Sequence, residues 1–218
     1  MKRLLISMLA AVICLTACDM TPDILYRAMV FGDMQGAYVF NADDGCTYRF
    51  TNVTSDSGLP TSGRVLALFD ARKQVEGREN EFEATLNDFR VPIYKAPVQC
   101  LNPEDEAALG ANEIRFDNGI LSGGHLNTMC TVMKELNDTE EPVVNLQLVQ
   151  GASSDTLHFI LRYNAGKDIL IALDSDDVQQ YSFYACFPIS DLIPEGQKPV
   201  VELKWLWGGE WHKTTTTL

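Results

Sequence analysis

Three histidines, no C-x-x-C pair and few basic residues limit what this 218-residue chain can do. A zinc site needs three or four converging N, S or O donors. His125, His158 and His212 fall on separate strand-like segments or ends, and none has a second ligand type two or four positions further on. No metal, cofactor or catalytic residue is assigned on these grounds, because a catalytic centre requires a nucleophile, a base and an orienting group together. Lys and Arg number 17 against 30 Asp and Glu. That balance argues against nucleic acid, whose binding depends on neutralising phosphates, and against electrostatic attraction to anionic lipid. Past the N-terminus, no apolar run approaches the roughly 20 residues that span a bilayer as a helix. There is no internal repeat, long helical pattern or low-complexity tract.

The N-terminus is different. Lys2 and Arg3 precede an apolar run from Leu4 to Leu15, interrupted only by Ser7, and the run ends on Leu15-Thr16-Ala17-Cys18. A basic head, a short apolar stretch and small residues describe a secretory signal. The last four residues resemble the bacterial lipobox, in which the signal is cut just before a cysteine that carries lipid. The expectation is a signal peptide over residues 1–17, lipid on Cys18 and a tether over 18–25. Each buried CH₂ adds about 0.8 kcal/mol of membrane affinity, so two or three acyl chains hold durably where one does not. Removal of Lys2 and Arg3 with the signal leaves 15 basic against 30 acidic residues, a net charge of −15.

From Tyr26 the pattern is strand-like. YRAMVF is followed by a turn at GDMQG. AYVF and CTYRF flank NADDG, whose Asp44-Gly45 pair favours a tight hairpin. SDSGLPTSG (55–63) reads as a loop, RVLALFDARK as an apolar strand and EFEATLNDFRVPIY (81–94) as an alternating one. Five antiparallel strands are best closed into a barrel, which removes exposed edges. Residues 26–98 are therefore expected to form an OB-like five-stranded barrel. In the linker 99–111, Pro103 opens a short helix with acids in its first turn, where the helix dipole favours them, and Gly110 ends it. Seven further strands are expected over 112–218: EIRFDNGILSGG, LNTMCTVMKEL, VVNLQLVQG, DTLHFILRY, KDILIALDS, QYSFYACFPI and KPVVELKWLW. Short alternating strands between turns suggest a two-sheet β-sandwich. The polar tail KTTTTL is expected to fray. The fold class is thus all-β.

Cys14 leaves with the signal, and Cys46, Cys100, Cys130 and Cys186 remain in an exported chain where disulfides are permitted. Cys130 and Cys186 both lie in expected strands of the sandwich and are the candidate disulfide. Asp43-Asp44 and Asp176-Asp177 sit in turns, which turn chemistry explains. Trp205 and Trp207 share a face with Val201 and Leu203 and should pack in the core, whereas Trp211, beyond two glycines, should be exposed.

The LTAC lipobox, GRVLALFDARK, NEFEATLNDFRVPIYKAPV, EDEAALG and SGGHLN occur in this order, followed by DTLHFILRYNA, FPISDLIPEGQ and VELKWLW. Together these phrases, spread over nearly the whole mature chain, resemble the NigD-like lipoproteins of Bacteroidetes. The resemblance implies an OB-like barrel followed by a β-sandwich, and it supplies no catalytic residues. Cys130 and Cys186 depart from it, standing where plain apolar core residues are expected. The functional expectation is a non-enzymatic, lipid-anchored protein of the cell envelope, at the outer membrane and facing the periplasm or the surface. It would touch the membrane through its lipid alone and bind a glycan or an envelope protein through the barrel, the sandwich loops or the cleft between them. The barrel segment carries 8 basic and 10 acidic residues, which disfavours nucleic acid there too. The alternatives are a protein-interaction role in bacteriocin export or self-protection and, third, an envelope hydrolase.

Overall fold

The computed structural model describes residues 24–149, 156–166, 177–193, 195–198 and 200–217. The expected signal, Cys18, most of the tether and the expected strand KDILIALDS lie outside these residues. The first five strands are β1 (Tyr26–Gln35), β2 (Val39–Ala42), β3 (Thr47–Phe50), β4 (Ser62–Gln74) and β5 (Glu81–Arg90). They close into a barrel in the order β1-β2-β3-β5-β4. All neighbours are antiparallel except β3 and β5. Phe40, Tyr48, Phe50 and Phe69 fill the interior, with Val65, Ala67, Ala71 and Ala84 leaving room between the rings. Gly32 is required where β1 crosses β2, because a Cβ there would meet the Asn41 carbonyl and the Phe40 ring. β4 is apolar on both faces for a physical reason. Val65, Ala67 and Phe69 face the barrel core, while Leu66, equally buried, faces the remainder of the molecule.

The expected single strand over 81–94 is two strands. Pro92, which lacks a backbone N–H, interrupts the ladder. The chain then leaves the barrel, and β6 (Ile93–Tyr94) and β7 (Val98–Gln99) pair in parallel with strands of two further sheets. By hydrogen bonding, residues 93–99 therefore go with the C-terminal sheets, although the sequence pattern placed 93–98 with the barrel. Helix α1 (Pro103–Ala108) follows. Asn102 caps it by accepting a hydrogen bond from the Asp105 amide at 2.9 Å, Pro103 opens it and Gly110 (φ +87°) follows it.

The remaining strands are β8 (Ile114–Ser122), β9 (His125–Glu135), β10 (Val143–Leu148), β11 (Thr156–Asn164), β12 (Val178–Pro188), β13 (Val200–Trp207) and β14 (Glu210–Thr217). One sheet has the order β14-β13-β11-β10-β7 and the other β6-β12-β9-β8. Their inner faces share one core. Ile114, Leu126, Val132, Phe183 and Phe187 come from one sheet, and Leu146, Phe159, Leu161, Val201 and Leu203 from the other. The tail expected to fray is instead strand β14. Gly208 and Gly209, both at positive φ, make a two-residue turn, and Glu210–Thr217 pairs residue by residue with β13. Threonine is β-branched and suits such a strand, so a polar sequence there means an exposed sheet edge and not a loose end.

Candidate functional site

The barrel and the second pair of sheets meet around one arginine. Gly63, the second residue of β4, has φ +90°, and the next residue, Arg64, has a side chain only 1% exposed. Its Nη1 donates to Asp43 Oδ1 at 2.7 Å and to Asp33 Oδ2 at 3.2 Å, and its Nη2 donates to Asp43 Oδ2. Nη2 also reaches Asn127 Oδ1 on β9 at 3.3 Å. From the other side, Ser122 Oγ donates to Asp43 at 2.6 Å, Asn127 Nδ2 donates to Ser122 Oγ at 3.0 Å and the Cys186 thiol donates to Asn127 Oδ1 at 2.9 Å. The network thus crosses between Asp33, Asp43 and Arg64 of the barrel and Ser122, Asn127 and Cys186 of the sheets. Burial disfavours the guanidinium charge, but the hydrogen bonding and charge of Asp43, with a smaller part from Cys186, together outweigh it and raise the Arg64 pKa above its ordinary value.

The two acids of the NADDG turn have separate tasks. Asp44 performs the expected turn chemistry, accepting from the Cys46 amide at 2.8 Å and from the Tyr48 hydroxyl at 2.8 Å. Asp43 points away from the turn, to Arg64. Gly123 sits against it at φ +56°, where a Cβ would collide with the Asp43 carboxylate. Gly123 of SGGHLN therefore serves a close approach between the β8–β9 turn and the barrel, while Gly124 lies against Ser190.

Beside this join is a cleft of about 410 Å³. Met29, Phe31 and Leu66 line it from the barrel, and Ile120, Met129 and Tyr184 line it from the sheets. Among the described residues its only charged lining groups are Asp43 and Asp44, and Phe31 and Tyr184 meet edge to face across it at 6.1 Å. The volume falls within the roughly 300–1,000 Å³ of small-ligand sites, and apolar walls with a few polar groups are their usual composition.

The sequence-level candidates are dispersed. His158 bonds Glu202 at 3.2 Å on the outer face of one sheet, His212 bonds the Trp207 carbonyl at 3.0 Å, and His125 bonds the Gly123 carbonyl at 2.7 Å. Cys130 and Cys186 are both free and buried, which corrects the candidate disulfide. Cys130 lies opposite Phe183 in the β9–β12 ladder and Cys186 opposite Asn127, so the two thiols point to opposite faces of one sheet. Cys130 enters the core, where burial pushes its thiol up to about 12, while Cys186 faces Arg64 and burial pushes it up to about 11. Trp205 packs on the core, Trp207 stacks with Arg115 at 5.3 Å and Trp211 is 56% exposed. Sequence reasoning missed Arg64, Asp43, Ser122 and Asn127 as a group. The available signal was an arginine opening an otherwise apolar strand, GRVLALFD.

The fold of a five-stranded barrel followed by two further sheets is similar to that of solved proteins from Bacteroides. No protein-family model matches the chain, and no curated protein does. Among solved structures it is similar to a protein of unknown function, DUF1344, from Bacteroides vulgatus, with a TM-score of 0.68 and 16% identity over 88% of this chain and 91% of that one. It is also similar to a NigD-like immunity protein from Bacteroides caccae, with a TM-score of 0.59 and 12% identity over 87% and 91% of the two chains. A Bacteroides fragilis protein described as a lipoprotein aligns with a TM-score of 0.59 and 14% identity over 88% and 97%. None of the three is described as an enzyme. At these identities the likeness is one of fold, and it includes the NigD-like type that the sequence phrases resemble.

Proposed function

We propose that this chain is a non-enzymatic binding protein of the bacterial cell envelope. A lipid on Cys18 anchors it at the outer membrane, and its ligand sits in the cleft between an OB-like barrel, whose strands end at Arg90, and a β-sandwich formed by β6 to β14. The observation that carries this reading is the cleft itself, apolar-walled and held in shape by the buried Arg64–Asp43 join. The barrel order, with its parallel β3–β5 pair, supports the OB-like description, and the shared core of the two sheets supports the sandwich. The lipobox-like LTAC and the likeness to a protein described as a lipoprotein support the anchor. A second reading, a protein-interaction role in bacteriocin export or self-protection, draws on the neighbour described as a NigD-like immunity protein.

The test is photo-crosslinking in intact cells. A photoreactive residue replaces the exposed Met29 at the cleft or, as a control, the exposed Thr215 on the far sheet edge. An adduct of defined mass from position 29 alone is expected. The same adducts from both positions, or none from 29, would refute the cleft as the binding site. The intact mass of the purified chain checks the anchor, because an N-terminus other than acylated Cys18 excludes it.

A further inference from the structure

Strand β1 is only half paired on one side. It pairs with β4 along its whole length, from Tyr26 to Gln35. Its register with β2 covers only Gly32–Met34, extended by one bond from the Asp43 amide to the Phe31 carbonyl at 2.9 Å. Beyond that bond the chain turns away at Asp43-Asp44. Among the described residues, the β2-side edge of Tyr26–Val30 therefore has no strand beside it. Backbone groups alternate along a strand, and Phe31 points its carbonyl to the β2 side. Arg27 and Met29 therefore direct their N–H and C=O groups to the open side, while Ala28 and Val30 direct theirs to β4.

This open edge borders the cleft, since Met29, Val30 and Phe31 all line it. Five residues at about 3.3 Å each make a slot of roughly 17 Å, collinear with β2. Unpaired edges bind extended peptides by strand addition, with main-chain bonds giving affinity and side-chain pockets giving selectivity. The other edge at the cleft, β8, is less suited. A register shift interrupts it between Phe116 and Asn118, and the Asn118 side chain already accepts from the Gly119 amide at 2.7 Å.

Charge selects among peptides. Arg64 neutralises Asp43, but Asp44, at the end of the slot, accepts only from the uncharged Tyr48 hydroxyl and Cys46 amide. No cation pairs with it among the described residues. A ligand there gains from a positive group, and an anionic one is repelled.

Resting on the cleft reading above, we infer that β1 residues Tyr26–Val30 receive an extended peptide as an added strand. Alternate apolar side chains of the peptide enter the cleft against Phe31, Leu66, Ile120 and Met129, and a Lys, an Arg or the peptide's own N-terminal ammonium meets Asp44. The chemical class is a cationic, apolar-alternating polypeptide segment.

The experiment selects binders for the full chain, solubilised in detergent, from a library of random twelve-residue peptides. The expected winners alternate apolar residues with Lys or Arg. N-methylation of their alternate amides should weaken binding at least tenfold, as should Asp44→Asn. In the bound state, amide exchange at Arg27 and Met29 should slow at least tenfold, with Ala28 and Val30 unchanged. Met29→Glu, at an exposed position, should abolish binding without lowering the melting temperature. No enrichment, acidic winners, binding that survives N-methylation, or unprotected Arg27 and Met29 amides would each overturn the inference. Cleft-specific crosslinking from position 29 to a glycan would overturn the peptide while leaving the binding cleft standing. Loss of both signals would remove both.

Discussion

Two charge networks in this molecule invert each other. Around Arg64, one buried cation serves two carboxylates, the buried Asp43 and the half-exposed Asp33. On the outer face of a sheet, one carboxylate, Glu202, serves two cations, Lys204 at 3.6 Å and Lys213 at 3.5 Å, beside the His158 ring at 3.2 Å. The lysines there stand largely in water, with side chains 47% and 66% exposed, whereas the Arg64 side chain is 1% exposed. The number of pairings is similar but the consequence differs. Water and salt screen the surface cluster, and exposed pairs contribute little. The buried cluster has no such substitute, so removing one partner strands the other. The network that joins barrel to sheets is therefore the one that cannot be altered piecemeal.

The largest expected effect comes from breaking the buried side. Asp43→Ala leaves the buried Arg64 charged with only the half-exposed Asp33 at 3.2 Å against it, and should cost about 3 kcal/mol in denaturant unfolding. Replacing both members, Asp43→Leu with Arg64→Met, should restore much of the loss, because an apolar pair of similar volume needs no solvation. If the double variant is no more stable than Asp43→Ala, the stranded-charge explanation fails. The same variant should expose Cys186, which lies in the join, to an alkylating reagent, while Cys130 in the sheet core stays protected; equal acceleration of both would mean global unfolding. In the wild type all four of Cys46, Cys100, Cys130 and Cys186 should label after denaturation without reductant, since the four are free thiols.

A milder cut is Ser122→Ala. It removes one hydrogen bond to a buried carboxylate and should cost about 1.5–3 kcal/mol by denaturant titration. A negligible cost would show that water replaces the hydroxyl. Acid sharpens the comparison from the other side. Hydrogen bonding to His158 holds Glu202 below the ordinary carboxylate range, and Arg27 and Arg49 do the same for Asp70 and Glu81. Their contribution is present above the unfolded carboxylate pKa and is lost as pH falls through the lower folded values. Melting temperature should therefore be flat near neutrality and decline below about pH 4. A decline beginning near neutral pH would implicate other groups. The smallest effect is expected from Glu202→Gln, which should lower thermal melting only slightly at physiological salt. A loss comparable to Ser122→Ala would show that the surface cluster is structural.

Much of the architecture could be read in local pattern. Period-two alternation and Asp-Gly or Gly-Gly turns marked most strands, and Pro103 with Gly110 marked the helix. Pro92 also stood in plain view, but the alternation on either side of it read as one strand. KTTTTL read as a loose end because its partner, β13, supplies the reason for it to be a strand. The site was harder to read. GRVLALFD, NADDG and SGGHLN each look like ordinary strand or turn chemistry, and nothing local says that Arg64, Asp43 and Ser122 meet.

By itself, the sequence determined the all-β class, the turns, the apolar faces, the acidic balance and the lipobox-like start. These follow from side-chain type and short-range spacing, which act within a few residues of chain. Tertiary structure alone decided that Cys130 and Cys186 face opposite ways, that residues 93–99 leave the barrel, that Arg64 is buried between two acids and that half an edge of β1 is open. Each of these depends on ladder register or on the approach of segments tens of residues apart. A register shift of one residue turns a side chain to the other face, and spacing along the chain carries no record of which register was taken.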